Sequence, residues 1–269
     1  MGARDNRELV FATYLAPCIQ PVYELVATRV GEELHRPTRL IVGDSFDQVR
    51  EAEVDFAFLC GLPYVRLKRE NAAAVEAIAA PIVQGDRYDD RPVYFSDVIV
   101  PANSAAAAFG DLRGRSWAYN EPDSHSGYLI TLWTLVEMDE TPAFFDRWEM
   151  TRFHQKSIRL VAAAQVEGSA VDSQVLDVEM RDHPELAERI RVIGTLGPST
   201  IQPLVATAAV PSGLRQEVTD IVLSLGTIEN DRRSLSAGAV ERFVAIDDSA
   251  YGDIRSKLEA VEGAGFLQA

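Results

Sequence analysis

Short apolar runs rich in β-branched residues alternate along the chain with longer stretches in which apolar residues recur at spacings of three and four. The first pattern marks strands, the second amphipathic helices. Strands are predicted over residues 9–15, 39–42, 54–60, 93–100, 116–119, 170–173 and 191–195, and helices over 21–34, 127–138, 155–167, 214–225 and 251–261. Ser126 and Ser212 stand at the head of two of these helices, where a hydroxyl can satisfy free backbone N–H groups. Strands alternating with helices predict an α/β fold built on mainly parallel sheets with helices on their faces.

At 269 residues the chain exceeds the usual size of one hydrophobic core, which leaves two lobes or one large α/β domain. Two Pro-marked breaks follow predicted strands, Pro101-Ala102-Asn103 and Gly197-Pro198-Ser199-Thr200-Ile201-Gln202-Pro203. Read as two hinge crossings, they make residues 101–203 one lobe and residues 1–100 plus 204–269 the other.

The formal net charge of −15, with no basic run, argues against nucleic acid, whose binding depends on clustered Lys and Arg. A small anion is still acceptable, because helix N-termini and a few donors can make a site locally positive on an acidic surface. No window approaches the roughly 18 apolar residues of a membrane span, so no membrane insertion is expected. The opening residues 1–8 lack a signal-peptide core, and Asn6 stands where a myristoylation signal places Ser or Thr. On this reading a leader is absent or removed, and cytoplasmic placement stays open. Cys18 and Cys60 lack metal-ligand spacing and are either unlinked or joined in one bridge; no metal or cofactor is expected.

The segment most informative about chemistry runs Asp111-Leu112-Arg113-Gly114-Arg115-Ser116-Trp117-Ala118-Tyr119-Asn120-Glu121-Pro122-Asp123-Ser124-His125-Ser126-Gly127-Tyr128. It reads as a turn, a strand, a small-polar loop and a helix start. Ser124 and Ser126 supply hydroxyl donors beside the free N–H groups of a first helical turn, an arrangement that suits a tetrahedral oxyanion. An ordinary serine-capped helix is the structural alternative.

This segment resembles the Asp-Leu-Lys/Arg-Gly, strand and Asp-x-Ser-x-Ser-Gly-Tyr loop of PhnD-like binding proteins, which serve ABC importers of phosphate, phosphite and phosphonate. His125 stands where that family usually has threonine. Three further stretches resemble it: residues 54–65 ending in Tyr64-Val65, Phe153-His154-Gln155-Lys156-Ser157-Ile158, and Val171-Asp172-Ser173.

The resemblance implies a two-lobed type 2 periplasmic-binding-protein fold that clamps a ligand between its lobes. It assigns Ser124, His125, Ser126, His154 and Asp172 to one lobe's contacts, and Tyr14 and Tyr64 to the other's. Asp172 also fits a carboxylate bonded to backbone N–H groups, and Tyr64 fits packing.

The implied role is capture of a small anionic ligand by a monomeric protein, periplasmic or extracytoplasmic, that hands it to an ABC-transporter permease. Histidines with ordinary pKa values near ~6.5 would strengthen anion binding as pH falls. An enzyme or a cytoplasmic sensor on the same fold, binding a metabolite such as a thiamine pyrimidine precursor, is the alternative. Adjacent Ser and His residues alone do not make a catalytic relay.

Overall fold

In the computed structural model, which describes residues 7–267, the chain forms two units, each built around one sheet. Residues 1–6, on which the myristoylation reading and most of the leader reading rest, lie outside the described residues. The first unit takes the chain up to Pro92 and again over Ile201–Tyr251; the second takes Val93–Thr200 and the chain from Gly252 onward.

The first unit opens with β1 (Leu9–Thr13), α1 (Gln20–Leu34), β2 (Thr38–Val42), α2 (Asp47–Arg50), β3 (Phe56–Phe58), α3 (Gly61–Glu70) and β4 (Val75–Val83). The chain then builds the second unit with β5 (Val93–Pro101), β6 (Ser116–Tyr119), α4 (Ile130–Glu137), β7 (Arg147–Met150), α5 (His154–Ala162), β8 (Gly168–Asp172), α6 (Ser173–Asp182) and β9 (Ile190–Thr200). It returns to the first for β10 (Leu204–Thr207), α7 (Ser212–Leu223), α8 (Glu229–Ala237) and β11 (Val240–Val244), and ends in the second with α9 (Gly252–Gly263).

The first sheet has the order β11-β4-β10-β3-β1-β2, with β1 parallel to β2 and β3, while β10 is antiparallel to β3 and β4 and β11 is antiparallel to β4. β1 to β4 therefore point one way. In the second sheet, β7-β6-β8-β5-β9, only β5 opposes its neighbours.

Burial follows the sequence pattern. All three residues of β3 are buried, as an apolar run in a central strand should be. α1 buries Val22, Tyr23, Val26, Ala27 and Val30, a stripe along one helical face, and turns Arg29 outward to Glu32 and Glu33. The second sheet is covered on both faces. Trp117, Leu112, Leu135, Phe144 and Phe145 pack together on one, and Ile99, Ile158, Val161, Val171 and Leu176 on the other.

Several elements fall outside the sequence expectation. β4 reads Val-Glu-Ala-Ile-Ala-Ala-Pro-Ile-Val, whose alanines and proline mask its strand character. α3 opens Gly-Leu-Pro, which reads as a turn although proline fits a helix's first turn. The unit boundaries fall earlier than the predicted crossings, because β5 and the whole of β9 pair within the second sheet. The C-terminal helix, assigned from sequence to the first lobe, packs against α4 and β9 of the second. Cys18 and Cys60 are not joined in a disulfide.

Trp117 is fully buried and its ring lies 4.6 Å from that of Phe145 at 18°. Trp117→Ala is expected to destabilise the protein by about 3–5 kcal/mol, read as a lower urea midpoint. An unchanged midpoint would contradict this packing.

Candidate functional site

β6, β7 and β8 run parallel, so their carboxyl ends at Tyr119, Met150 and Asp172 share one edge of the second sheet. In open α/β sheets ligands bind outside such edges. Each strand leads into a helical segment whose first turn leaves N–H groups without helical partners and carries partial positive charge.

After β6, residues His125–Leu129 wind as a π turn directly into α4. Ser124 caps it: its Oγ accepts from Gly127 N at 3.0 Å. Ser126, expected as the cap, lies inside the turn, and Ser212 likewise lies inside α7, behind Pro211. Ser126 Oγ is 3.5 Å from Ser124 Oγ and 2.9 Å from Nε2 of His154, the first residue of α5. Ser124, Ser126 and His154 are thus one buried cluster.

Gly127 makes the cluster possible. A Cβ there would overlap Asn120 Oδ1 and sit 3.2 Å from His154 Cε1. Asn120 was not singled out by sequence reasoning, because its contact runs across the turn and leaves no local signature. It is only 9% exposed, and among the described residues neither its Oδ1 nor His154 Nδ1 has a hydrogen-bond partner.

The other expected site residues are placed differently. His125 is fully buried and bonds through Nε2 to Ser199 Oγ on β9 at 2.8 Å, so its ring is directed away from the serines on either side of it in sequence. The reason is steric: consecutive side chains on a helical turn diverge. Asp172 caps α6, with Oδ1 accepting from Gln174 N at 2.9 Å and Val175 N at 3.3 Å.

In the first unit, Tyr14 packs over Gly43, and its hydroxyl is 3.0 Å from both Ser45 O and Gln48 Oε1. Burial, with the charges of Asp44 and Glu53, pushes its phenol up to about 12. Tyr64 lies inside α3, fully buried, donating to Asp248 Oδ1 at 2.8 Å with its ring against Tyr251.

Burial pushes His154 down to about 4 and, with the charge of Lys257 adding to the effect and that of Asp253 opposing it, His125 down to about 3. Both rings are neutral near pH 7. The expectation that charged histidine would tighten anion binding below neutrality is corrected accordingly. Burial and the charge of Asp123 raise the Glu121 carboxyl, against the opposing charge of Arg152. Among the described residues no group of His, Cys, Asp and Glu is arranged to hold a metal ion.

A sequence model of the family described as ABC transporter, phosphonate, periplasmic substrate-binding protein matches residues 10–251. The binding-protein component of an ABC phosphonate transporter from Pseudomonas aeruginosa superposes with a TM-score of 0.82 at 17% identity, over 96% of this chain and 87% of that one. A PhnD protein from Prochlorococcus marinus, in complex with methylphosphonate, gives 0.82 at 15% identity over 98% and 100%. The alkanesulfonate-binding protein SsuA from Xanthomonas axonopodis pv. citri, bound to MOPS, gives 0.72 at 12% identity over 99% and 96%. Identities this low carry the fold, which is the α/β fold of periplasmic binding proteins.

The buried histidines fix a sign for acid stability. Below pH ~6.5 the unfolded chain binds protons that the folded state refuses until about pH 4 at His154 and about 3 at His125, so their contribution to stability rises with pH across that window and is flat above it. At about 1.4 kcal/mol per pKa unit the pair is expected to cost several kcal/mol at the acid end. The Tm should fall between pH 7 and pH 5, and His154→Gln should flatten that fall. An identical slope in the variant would assign the titration elsewhere.

Proposed function

The chain belongs to the family of periplasmic substrate-binding proteins of ABC phosphonate transporters, and from that premise we propose that its ligand is a small phosphorus oxyanion such as phosphonate, phosphite or phosphate. Members of this family are transport proteins, not enzymes, and such a protein implies a permease partner and a small ligand. The family is periplasmic; among the described residues no helix is long and apolar enough to cross a membrane.

One observation carries the ligand reading: the buried set of Ser124, Ser126 and His154 at the head of the turn leading into α4. Because Ser124 Oγ already accepts from Gly127 N, its hydrogen is the part left to offer. Ser126 works the same way if neutral His154 carries its proton on Nε2. The imidazole then donates to Ser126 Oγ, and the serine hydrogen turns to the ligand. With these hydroxyls and the positive end of the turn, a tetrahedral anion is held by oriented dipoles in a water-poor site. Asp172 contributes by fixing the first turn of α6, and His125 by tying the turn to β9. Tyr14 and Tyr64, whose hydroxyls are engaged within the first unit, are not needed for this cradle.

The test is a thermal-shift and calorimetric panel of phosphate, phosphite, methylphosphonate, sulfate and an alkanesulfonate. A ligand at 100 times its Kd should stabilise the native state by about 2.7 kcal/mol. Ser126→Ala removes a hydrogen bond to a charged group, about 1.5–3 kcal/mol, and should weaken binding by roughly tenfold to hundredfold. Silence towards every phosphorus oxyanion would sink the proposal. A response confined to the sulfonate would keep the family and change the ligand.

A further inference from the structure

Asn120 is set where it cannot satisfy itself. Its backbone oxygen accepts from Arg152 N at 2.6 Å, and Thr151 N bonds the preceding Tyr119 O at 2.8 Å, so the exit from β6 is tied to the chain leaving β7. Arg152 adopts a left-handed backbone, φ 72, to make that contact. The Asn120 side chain then lies against the bare Cα of Gly127, beside the His154 ring, with Oδ1 buried and without a hydrogen-bond donor among the described residues. Buried amide oxygens in proteins are seldom left so, and the exceptions call for an explanation.

The hydrogen-bond polarity of the neighbourhood supplies one. Ser124 and Ser126 can each offer a hydrogen to a bound anion, whereas Asn120 Oδ1 can only accept. An anion that presents lone pairs alone would meet the serines well and face the amide oxygen repulsively. An anion that keeps one O–H would meet all three.

We infer that this site takes its ligand in protonated form, as a phosphorus oxyanion bearing one P–OH, with Asn120 Oδ1 accepting that hydrogen and thereby setting selectivity against sulfonates. The inference rests on the phosphorus-oxyanion reading above and adds a residue and a protonation state to it. Sulfonates are the informative contrast because they match phosphonates in shape and carry no acidic hydrogen near neutral pH. Glu121 and Asp123 precede Ser124 in the same loop, and the neutral ring of His154 adds no positive charge beside the serines. A polar site built around a ligand hydroxyl rejects the analogue lacking it because the buried partner is left unpaired.

The experiment is calorimetric titration of the full chain with methylphosphonate and methanesulfonate at pH 7, on the wild type, Asn120→Ala and Asn120→Asp. The wild type is expected to prefer the phosphonate by at least about a hundredfold. Asn120→Ala should lower that ratio by roughly tenfold to hundredfold, mostly through loss of phosphonate affinity. Asn120→Asp keeps an acceptor in place and should preserve the preference. The ratio is the decisive readout, since a merely structural defect would weaken both ligands together and leave it unchanged. An unchanged ratio in Asn120→Ala, or a wild type that binds both ligands equally, overturns the assignment of Asn120 while leaving the phosphorus-oxyanion reading in place. A wild type that binds no phosphorus oxyanion overturns that reading and this one with it.

Discussion

Asn120 and His154 both press onto the Cα of Gly127, one with its amide oxygen and the other with the edge of its ring, in space that any other residue at 127 would fill with a side chain. That close approach lets α5 come near enough for His154 to reach Ser126, and it leaves the backbone N–H of Gly127 free to bond Ser124 Oγ. The positions of both serines therefore depend on a glycine that makes no side-chain contact of its own. Glycine costs helix stability through its backbone freedom, and a π turn adds poorer hydrogen-bond geometry. The burial of Leu129, Ile130, Leu132 and Leu135 immediately downstream offsets both, because it anchors the turn to the core of the second unit.

Formal charge plays little part in this arrangement. The protein carries a net charge of −15, yet the cluster is built of hydroxyls, amides and imidazoles that burial holds neutral. Oriented neutral dipoles can hold an anion because they need not reorganise when it arrives, and in low dielectric each is worth more than in water. The acidic surface lies outside that local field, and solvent and salt screen it over about 8–10 Å. Overall charge and site preference are thus set by different parts of the molecule.

Much of the scaffold was legible from the chain because its strands and helices carry strong periodicity: β3 is uniformly apolar, β6 has the predicted bounds, and α1 shows a clear stripe. What was hidden had weak or contradictory local signals. Alanines blurred β4, and Gly61 with Pro63 disguised the start of α3. The cap of α6 is made by Asp172, so a residue read for the ligand also proved to be a helix signal. The candidate site was legible as a motif but not as a geometry. Sequence adjacency grouped residues 124 to 126 as one contact set, whereas the turn sends His125 to Ser199 and brings in His154 from another helix. Asn120 was invisible because its importance lies in an atom left unbonded, and no local pattern encodes that.

The two histidines show how burial sets protonation in and beside the candidate site. A ring that stayed exposed would titrate near pH ~6.5, and as it did so both of its nitrogens would become donors and the hydrogen bond to Ser126 would acquire a charge. Sealing His154 into the second unit costs stability in acid, yet it keeps the ring neutral down to about pH 4. A neutral imidazole donates at one nitrogen and accepts at the other, so its tautomer dictates which way the Ser126 hydrogen points. Asn120 sets the opposite polarity a few atoms away. A cradle that combines hydroxyl donors with one acceptor distinguishes ligands by where they carry hydrogen, a finer criterion than charge or size.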